Sequence, residues 1–374
     1  VRTAVIVNAN ARAFARSPSK LEAMHAIAAR RRPGHDVRAF VTADFASLDD
    51  AAAAIAAAAF DHVVLSGGDG SWGAGLTAII RAHAAHRASA PLPGFVLAPG
   101  GTVGTAARSL GASFGRTPEK GLSDALHALE ALHAPEALHA PGKRAGVHRS
   151  KGTADGDAKP EGPAWSWRAT PTLRVSRDDD DPRLAFIAGA GLVASFIARY
   201  DPAAAARARL GLVSAPSSGG GLLAAAKVVA RIFIESFFDG PLARQVLAPT
   251  PCAVTIDGRR LPWDASSLLI ASVFPDVGLG LRVCHRAAED PERPHLVVSG
   301  LSPRALGPRM PRVLAGLPIV DARHSPTAPH FDGLVGRATI EFPDDGGGFV
   351  IDGDLRVGRR FVLEAGPSVR ILAR

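Results

Sequence analysis

Three short stretches of this chain hold residue types that can do chemistry together. The first is Ser66-Gly67-Gly68-Asp69-Gly70-Ser71, which follows the apolar run Val63-Val64-Leu65. Glycines let a backbone approach phosphate oxygens and adopt positive φ. A helix starting near Trp72 would point its N-terminus at the same place. A bare carboxylate does not bind phosphate, so Asp69 is expected to meet a metal ion through water or to accept from an incoming hydroxyl. No Gly-Lys-Ser/Thr follows, so this is not a Walker A loop. The plain alternative is a tight strand-to-helix turn.

The second stretch runs Pro99-Gly100-Gly101-Thr102-Val103-Gly104-Thr105-Ala106-Ala107-Arg108. Thr102 and Thr105 place hydroxyls at or near a helix N-cap, where they suit a phosphate, a ribose or ordinary capping. Two strand-to-glycine turns side by side in a parallel sheet form a crevice lined with backbone N–H groups, which suits a polyphosphate. The third stretch is Val350-Ile351-Asp352-Gly353-Asp354-Leu355. Carboxylates at i and i+2 on an extended chain point the same way. Such a pair suits a general base with its orienting partner, or a metal site. An Asp-Gly hairpin turn reads the same locally, as Asp257-Gly258 and Asp332-Gly333 also do.

The elements that must position these stretches alternate through the first third of the chain. Strand signals fall at 4–7, 37–41, 63–65 and 95–97, and helical signals at 18–32, 48–59, 72–83 and from 105. This order argues for an α/β fold with an N-terminal doubly wound parallel-sheet nucleotide domain over 1–135. Residues 136–164, rich in Pro, Gly, Ala and charge, read as a linker or surface insertion. After them short strand signals dominate, at 165–170, 172–175, 184–188, 252–256, 268–273, 295–299, 336–342, 348–351 and 361–363, as in a mostly antiparallel β-sandwich domain over 165–374. The C-terminal segment is a candidate to return to the first domain. Residues 221–238 form an amphipathic helical stretch, suited equally to a core and to a lipid surface.

At 374 residues the chain is long enough for two cored domains. Its 47% hydrophobic and 21% charged content is that of a globular protein. The formal charge of +8 reads equally as solubility alone and as a surface for an anionic partner such as a membrane face, ATP or nucleic acid. Cys252 and Cys284 make no metal spacing and no disulfide framework, which fits a reducing compartment. No run of eighteen uncharged apolar residues is present, and no signal-peptide pattern precedes the first strand. The histidines at 127, 133, 139 and 148 show no fixed metal geometry, and the Asp178–Asp181 run reads as a solvated turn.

Taken together the three stretches resemble the catalytic domain of the diacylglycerol kinase family, which includes bacterial lipid kinases, sphingosine kinases and ceramide kinases. Gly67 to Ser71 is similar to the family's Gly-Gly-Asp-Gly-Thr signature. Residues 99–111 are similar to its Pro-x-Gly-Thr-x-Asn-x-x-Ala-Arg-x-x-Gly signature, and Asp352-Gly353-Asp354 to its late Asp-Gly-Glu. Ile6-Val7-Asn8-Ala9-Asn10 looks like the first nucleotide loop, Thr42 like a threonine near the adenosine, and Phe186 to Gly191 like the strand that opens the β domain. Three positions depart from the pattern: Gly104 for asparagine, Asp354 for glutamate and Val193 for an aspartate.

The resemblance implies an ATP- and Mg²⁺-dependent kinase acting on a lipid alcohol such as diacylglycerol, ceramide or a sphingoid base. It implies Asp352 as base, Asp354 orienting it or holding metal, and Asp69 in the metal-water network. Nucleotide contacts would come from Asn8, Asn10, Thr42, Gly67, Gly68, Asp69, Gly70, Ser71, Gly100, Gly101, Thr102 and Thr105. The expected setting is cytoplasmic and peripheral to the inner, anionic membrane face, with no nucleic-acid partner and an open oligomeric state, a homodimer included. The alternatives are a kinase of soluble substrate resembling NAD kinase, and a nucleotide- or lipid-binding protein without turnover.

Overall fold

The computed structural model describes residues 1–15, 17–30, 34–87, 89–100, 104–112, 114–115, 117–133, 165–202, 206, 222–321 and 327–374. The stretch 136–164, read above as a linker or insertion, lies outside the described residues.

Four strands, β1 (Arg2–Asn8), β2 (Asp36–Thr42), β3 (His62–Gly67) and β4 (Gly94–Pro99), form the parallel part of the first sheet in the order β2-β1-β3-β4. Alternation along β1 sends Val5 and Val7 into one core and Ala4 and Ile6 into another. Helices Pro18–Ala29 and Pro118–His133 cover the first face through Met24, Leu122 and Leu126. Helices Phe45–Ala58 and Asp69–Arg87 cover the second through Leu48, Ile55, Leu76 and Ile79. Every residue of β3 is buried, as a parallel strand covered on both faces requires. Helix Phe45–Ala58 begins with a capping box, in which Asp44 accepts from the Ser47 N–H and Ser47 accepts from the Asp44 N–H.

The chain then forms β5 (Ser166–Thr170), β6 (Leu173–Arg177), β7 (Arg183–Ala185) and β8 (Ile187–Gly191). The last strand of the chain, Val369–Ala373, adds parallel to β4 and pairs antiparallel with β5. The first sheet is therefore completed by segments from beyond residue 165. Trp165 stacks on Phe114 at 4.4 Å and Trp167 on His62 at 5.0 Å, so both rings belong to this packing.

Two six-stranded antiparallel sheets make up most of the rest, beside a two-stranded pairing of Thr250–Pro251 with Ala265–Ser266. One holds β6 and β7 with strands Ala253–Ile256, Arg337–Glu341 and Arg360–Ala365 and the short Arg259–Arg260. The other holds β8 with Leu268–Ser272, His295–Ser299, His330–Leu334, Gly347–Ile351 and Asp354–Gly358. They face one another, with fully buried Phe349 of one stacked on fully buried Phe361 of the other at 4.3 Å.

Two local expectations are corrected. Residues 184–188 are not one strand, because the chain breaks at Phe186 and passes from the first antiparallel sheet to the second. Asp332-Gly333 is not a turn but the middle of an edge strand, paired with Val297 and Leu296. Asp257-Gly258 is a turn, with both residues at positive φ.

Candidate functional site

The helix after β3 begins at Asp69 rather than near Trp72, since the Gly68 carbonyl already accepts the Trp72 N–H at 3.0 Å. Asp69 thus sits in the first turn, where the helix N-terminus favours a negative charge. The Trp72 indole donates to the Leu65 carbonyl at 3.0 Å and fixes this helix to β3. The two glycine turns touch directly. A Cβ on Gly100 would stand 2.9 Å from the Gly67 Cα.

Asp69 joins the first stretch to the second. Its Oδ2 accepts the Thr105 N–H at 3.0 Å and its Oδ1 the Ala106 N–H at 3.1 Å. These are first-turn donors of helix Thr105–Ser109, whose N-cap Gly104 offers no side chain. Gly104 adopts φ 60° and ψ 48°, a left-handed conformation that glycine takes freely and asparagine tolerates. The departure from the family pattern at this position therefore keeps the backbone and loses only the amide. Burial pushes the Asp69 carboxyl up, and the N–H groups of Thr105 and Ala106 oppose this only in part. Asp69→Ala strands both N–H groups and is expected to cost about 1–3 kcal/mol. Urea unfolding would show this as a lowered midpoint, with Asp69→Asn losing less.

The third stretch reaches the first through missing side chains. A Cβ on Gly70 would lie 3.0 Å from the Asp354 Oδ1, and one on Gly73 would lie 2.6 Å from the Asp352 Oδ2. Asp352 and Gly353 are not extended. At φ 48° and 88° they form a two-residue hairpin turn, with Ile351 paired to Asp354. Asp352 thus lies in the turn and Asp354 opens the strand after it, instead of the two sharing a strand face, and both come to the helix Asp69–Arg87.

Asp352 is 7% exposed. Its Oδ1 accepts from the Phe186 N–H and the Ile187 N–H, each at 2.9 Å, which accounts for the chain break at Phe186. Burial drives its carboxyl well above the ordinary aspartate range, and the charges of Asp69 and Asp354 add to this against the two N–H bonds. A cavity of about 20 Å³ lies beside it, lined by Gly70, Gly73, Leu184, Asp354 and Arg356 among others. That is room for one water-sized oxygen.

Of the nucleotide-loop residues, Asn8 donates from Nδ2 to the Ser71 Oγ at 2.8 Å and accepts the Asn10 N–H at 2.9 Å. Asn10 donates to the Ala43 carbonyl. The Thr42 side chain is buried, and its carbonyl accepts the Ala9 N–H at 2.9 Å. Thr105 is the first helical residue and is buried. Gly101 and Thr102 lie outside the described residues. Val193 packs with a core that includes Leu268, Ile270 and Val297, where an aspartate would have no such role.

Two arginines escaped the sequence reading. Arg183 of β7 lies over the Phe45 ring at 4.6 Å and Arg356 at 5.9 Å. The Arg356 Nη2 stands 3.6 Å from the Asp354 Oδ2. Burial and then the charge of Arg356 lower Arg183 to about 10. Asp354 and Arg356 share a strand face by their i, i+2 spacing, a signal that was available. Arg183 is brought in only by the fold. The whole arrangement sets three carboxylates and two arginines against two glycine turns.

Residues 2–135 match the family model described as the diacylglycerol kinase catalytic domain. Among solved structures, a diacylglycerol kinase from Bacillus anthracis str. Sterne aligns with a TM-score of 0.52 at 11% identity, covering 100% of this chain and 97% of that one. A putative diacylglycerol kinase from the same organism aligns with a TM-score of 0.55 at 13% identity, covering 100% and 95%. No curated protein matches the chain. At these identities the structural likeness is one of fold.

Proposed function

From the match of residues 2–135 to the diacylglycerol kinase catalytic domain, we propose that this chain transfers the γ-phosphate of ATP to a hydroxyl of a lipid alcohol. The observation that carries the reading is the meeting of Asp69, Asp352 and Asp354 at two glycine turns, through contacts that only Gly70 and Gly73 permit.

The residues fit a magnesium nucleotide. Gly67, Gly70 and Gly100 give close backbone approach, and the first turn of helix Asp69–Arg87 offers N–H groups without intrahelical partners. Asp69 would hold Mg²⁺ through water, since both its oxygens already accept N–H groups. The chemistry Mg²⁺ would supply there is neutralisation of phosphate charge. Asn8, with Ser71, and Asn10 line the start of the same crevice. Gly101, Thr102, Thr42 and Thr105 remain nucleotide contacts by resemblance alone. Asp352 is assigned as the base that takes the acceptor hydroxyl's proton. A carboxyl raised by burial is, once ionised, a stronger base than an ordinary aspartate, and the adjoining cavity admits one oxygen. Asp354 orients the turn from its contact with Gly70, and Arg356 balances its charge.

Support for a lipid acceptor lies on the helix Leu222–Phe237. Ile234 is 60% exposed, Phe237 48% and Phe238 78%. Lys227 and Arg231 are exposed on the same helix, which favours an anionic membrane surface. No helix among the described residues is long and apolar enough to cross a membrane. With the resemblance, the exposed apolar and basic residues of this helix support a kinase working peripherally at the cytoplasmic membrane face.

The test is transfer of label from γ-labelled ATP in mixed micelles containing diacylglycerol, ceramide, sphingosine or monoacylglycerol, with NAD as a soluble acceptor. Label in one lipid is the expected result and names the acceptor. Label on NAD alone would reassign the substrate class, and ATP binding without transfer to any acceptor would remove the enzyme reading.

A further inference from the structure

Far from the carboxylate junction, three histidines and an aspartate converge under one edge of the second antiparallel sheet. Strand His330–Leu334 forms that edge and pairs with His295–Ser299, with Asp332 opposite Val297. Period-two alternation puts His330 and Asp332 on one face and His295 on the same face, diagonal to Asp332. The face looks into a core that contains Val297, Cys284 and Ala287. The loop through Cys284 crosses it and brings in His285, whose ring meets that of His295 at 5.1 Å in an edge-on arrangement. Potential ligand atoms of His285, His295 and Asp332 all lie within 4.8 Å of one another. The His330 Nε2 is 3.9 Å from the Asp332 Oδ2.

Ordinary packing does not account for these groups. His295 is fully buried, and its Nε2 lies 2.7 Å from the Asp332 Oδ1, which satisfies one atom of each. The Nδ1 atoms of His285 and His295, both ring nitrogens of His330 and the Oδ2 of Asp332 are buried with no hydrogen-bond partner. Buried polar atoms are seldom left so, because each forfeits its hydration. Five of them in one cluster indicate a ligand.

We infer that His285, His295 and Asp332 form a binding site for a divalent transition metal of the zinc type, with His330 standing against the outer oxygen of Asp332. Imidazole nitrogens with one carboxylate suit Zn²⁺, and three protein ligands leave the fourth tetrahedral position to water. The metal would tie the loop carrying His285 to the edge strand and so cover a sheet edge that otherwise ends in a single two-strand pairing. Four strand spacings, roughly 19 Å, separate this edge from the strand that leads into Asp352, so the site is independent of the phosphoryl-transfer reading.

The full chain, produced without a polyhistidine tag in zinc-supplemented medium and dialysed, should retain about one zinc per chain by mass spectrometric metal analysis. Replacement by Co²⁺ should give the strong visible bands of a tetrahedral nitrogen- and oxygen-ligated ion. His285→Gln and Asp332→Asn should each weaken Zn²⁺ binding about tenfold or more, and circular dichroism would identify which variants stay folded. His285 lies in a turn outside the sheet, so its variant is the one expected to fold. Folded wild-type protein that holds no zinc and gives no Co²⁺ bands would overturn the inference. So would a Co²⁺ spectrum and affinity left unchanged in folded His285→Gln.

Discussion

Asp352→Asn is expected to leave ATP binding intact and to lower phosphoryl transfer by about 10²–10⁴-fold, the range for loss of a general base. The substitution is conservative in this setting. Oδ1 of asparagine can still accept the Phe186 and Ile187 N–H groups that Asp352 Oδ1 accepts. What disappears is the basic oxygen that faces Gly73 and the small cavity. Stability should not fall with activity. The Asp352 carboxyl is raised in the folded protein, so the folded state binds more protons than the unfolded one between the ordinary aspartate value and the raised one. The stability contributed by that proton is present below the unfolded value and is lost as pH rises through the folded value. Removing the ionisable group should therefore leave the melting temperature at neutral pH equal or higher. In the wild type, kcat/KM should rise with pH as Asp352 ionises, and that limb should vanish in the variant. A fully active Asp352→Asn would show that another group takes the proton.

Phe349→Ala should be the most damaging core change, at about 3–5 kcal/mol of unfolding free energy. Phe349 is fully buried and its ring lies at 4.3 Å and 13° from that of Phe361, across the two antiparallel sheets. Its strand pairs with β8 at Ala190 and ends at Ile351, immediately before the Asp352 turn. A cavity there would loosen both the sandwich and the hairpin that carries two of the three carboxylates. Urea denaturation should show the loss in stability, with Phe349→Leu losing less. Transfer activity should fall with it. An unchanged midpoint would mean that the two sheets do not depend on this contact.

Sequence showed the first sheet well because β3 and β4 each run from apolar residues straight into glycine, a local signal. It showed the order of the three chemical stretches for the same reason. What it did not show depends on contacts between distant residues. Asp257-Gly258, Asp332-Gly333 and Asp352-Gly353 are alike in sequence, yet the first and last are turns while the second lies inside a strand, held by pairing with Leu296 and Val297. The break at Phe186 is imposed by a carboxylate 166 residues away. Strand β5 joins the first sheet only by pairing with the final strand, which no periodicity within the segment reveals. The same holds for Arg183 beside Arg356, and for the histidines at 285, 295 and 330, whose spacing along the chain fits no metal motif.

The most direct test of the kinase account is organic-extractable label from γ-labelled ATP, measured for the wild type in lipid micelles with and without added Mg²⁺ and beside Asp352→Asn. The account predicts label in the lipid phase that requires Mg²⁺ and falls by at least about 10²-fold in the variant. Absence of lipid label from protein that binds ATP, or label undiminished in the variant, would contradict it.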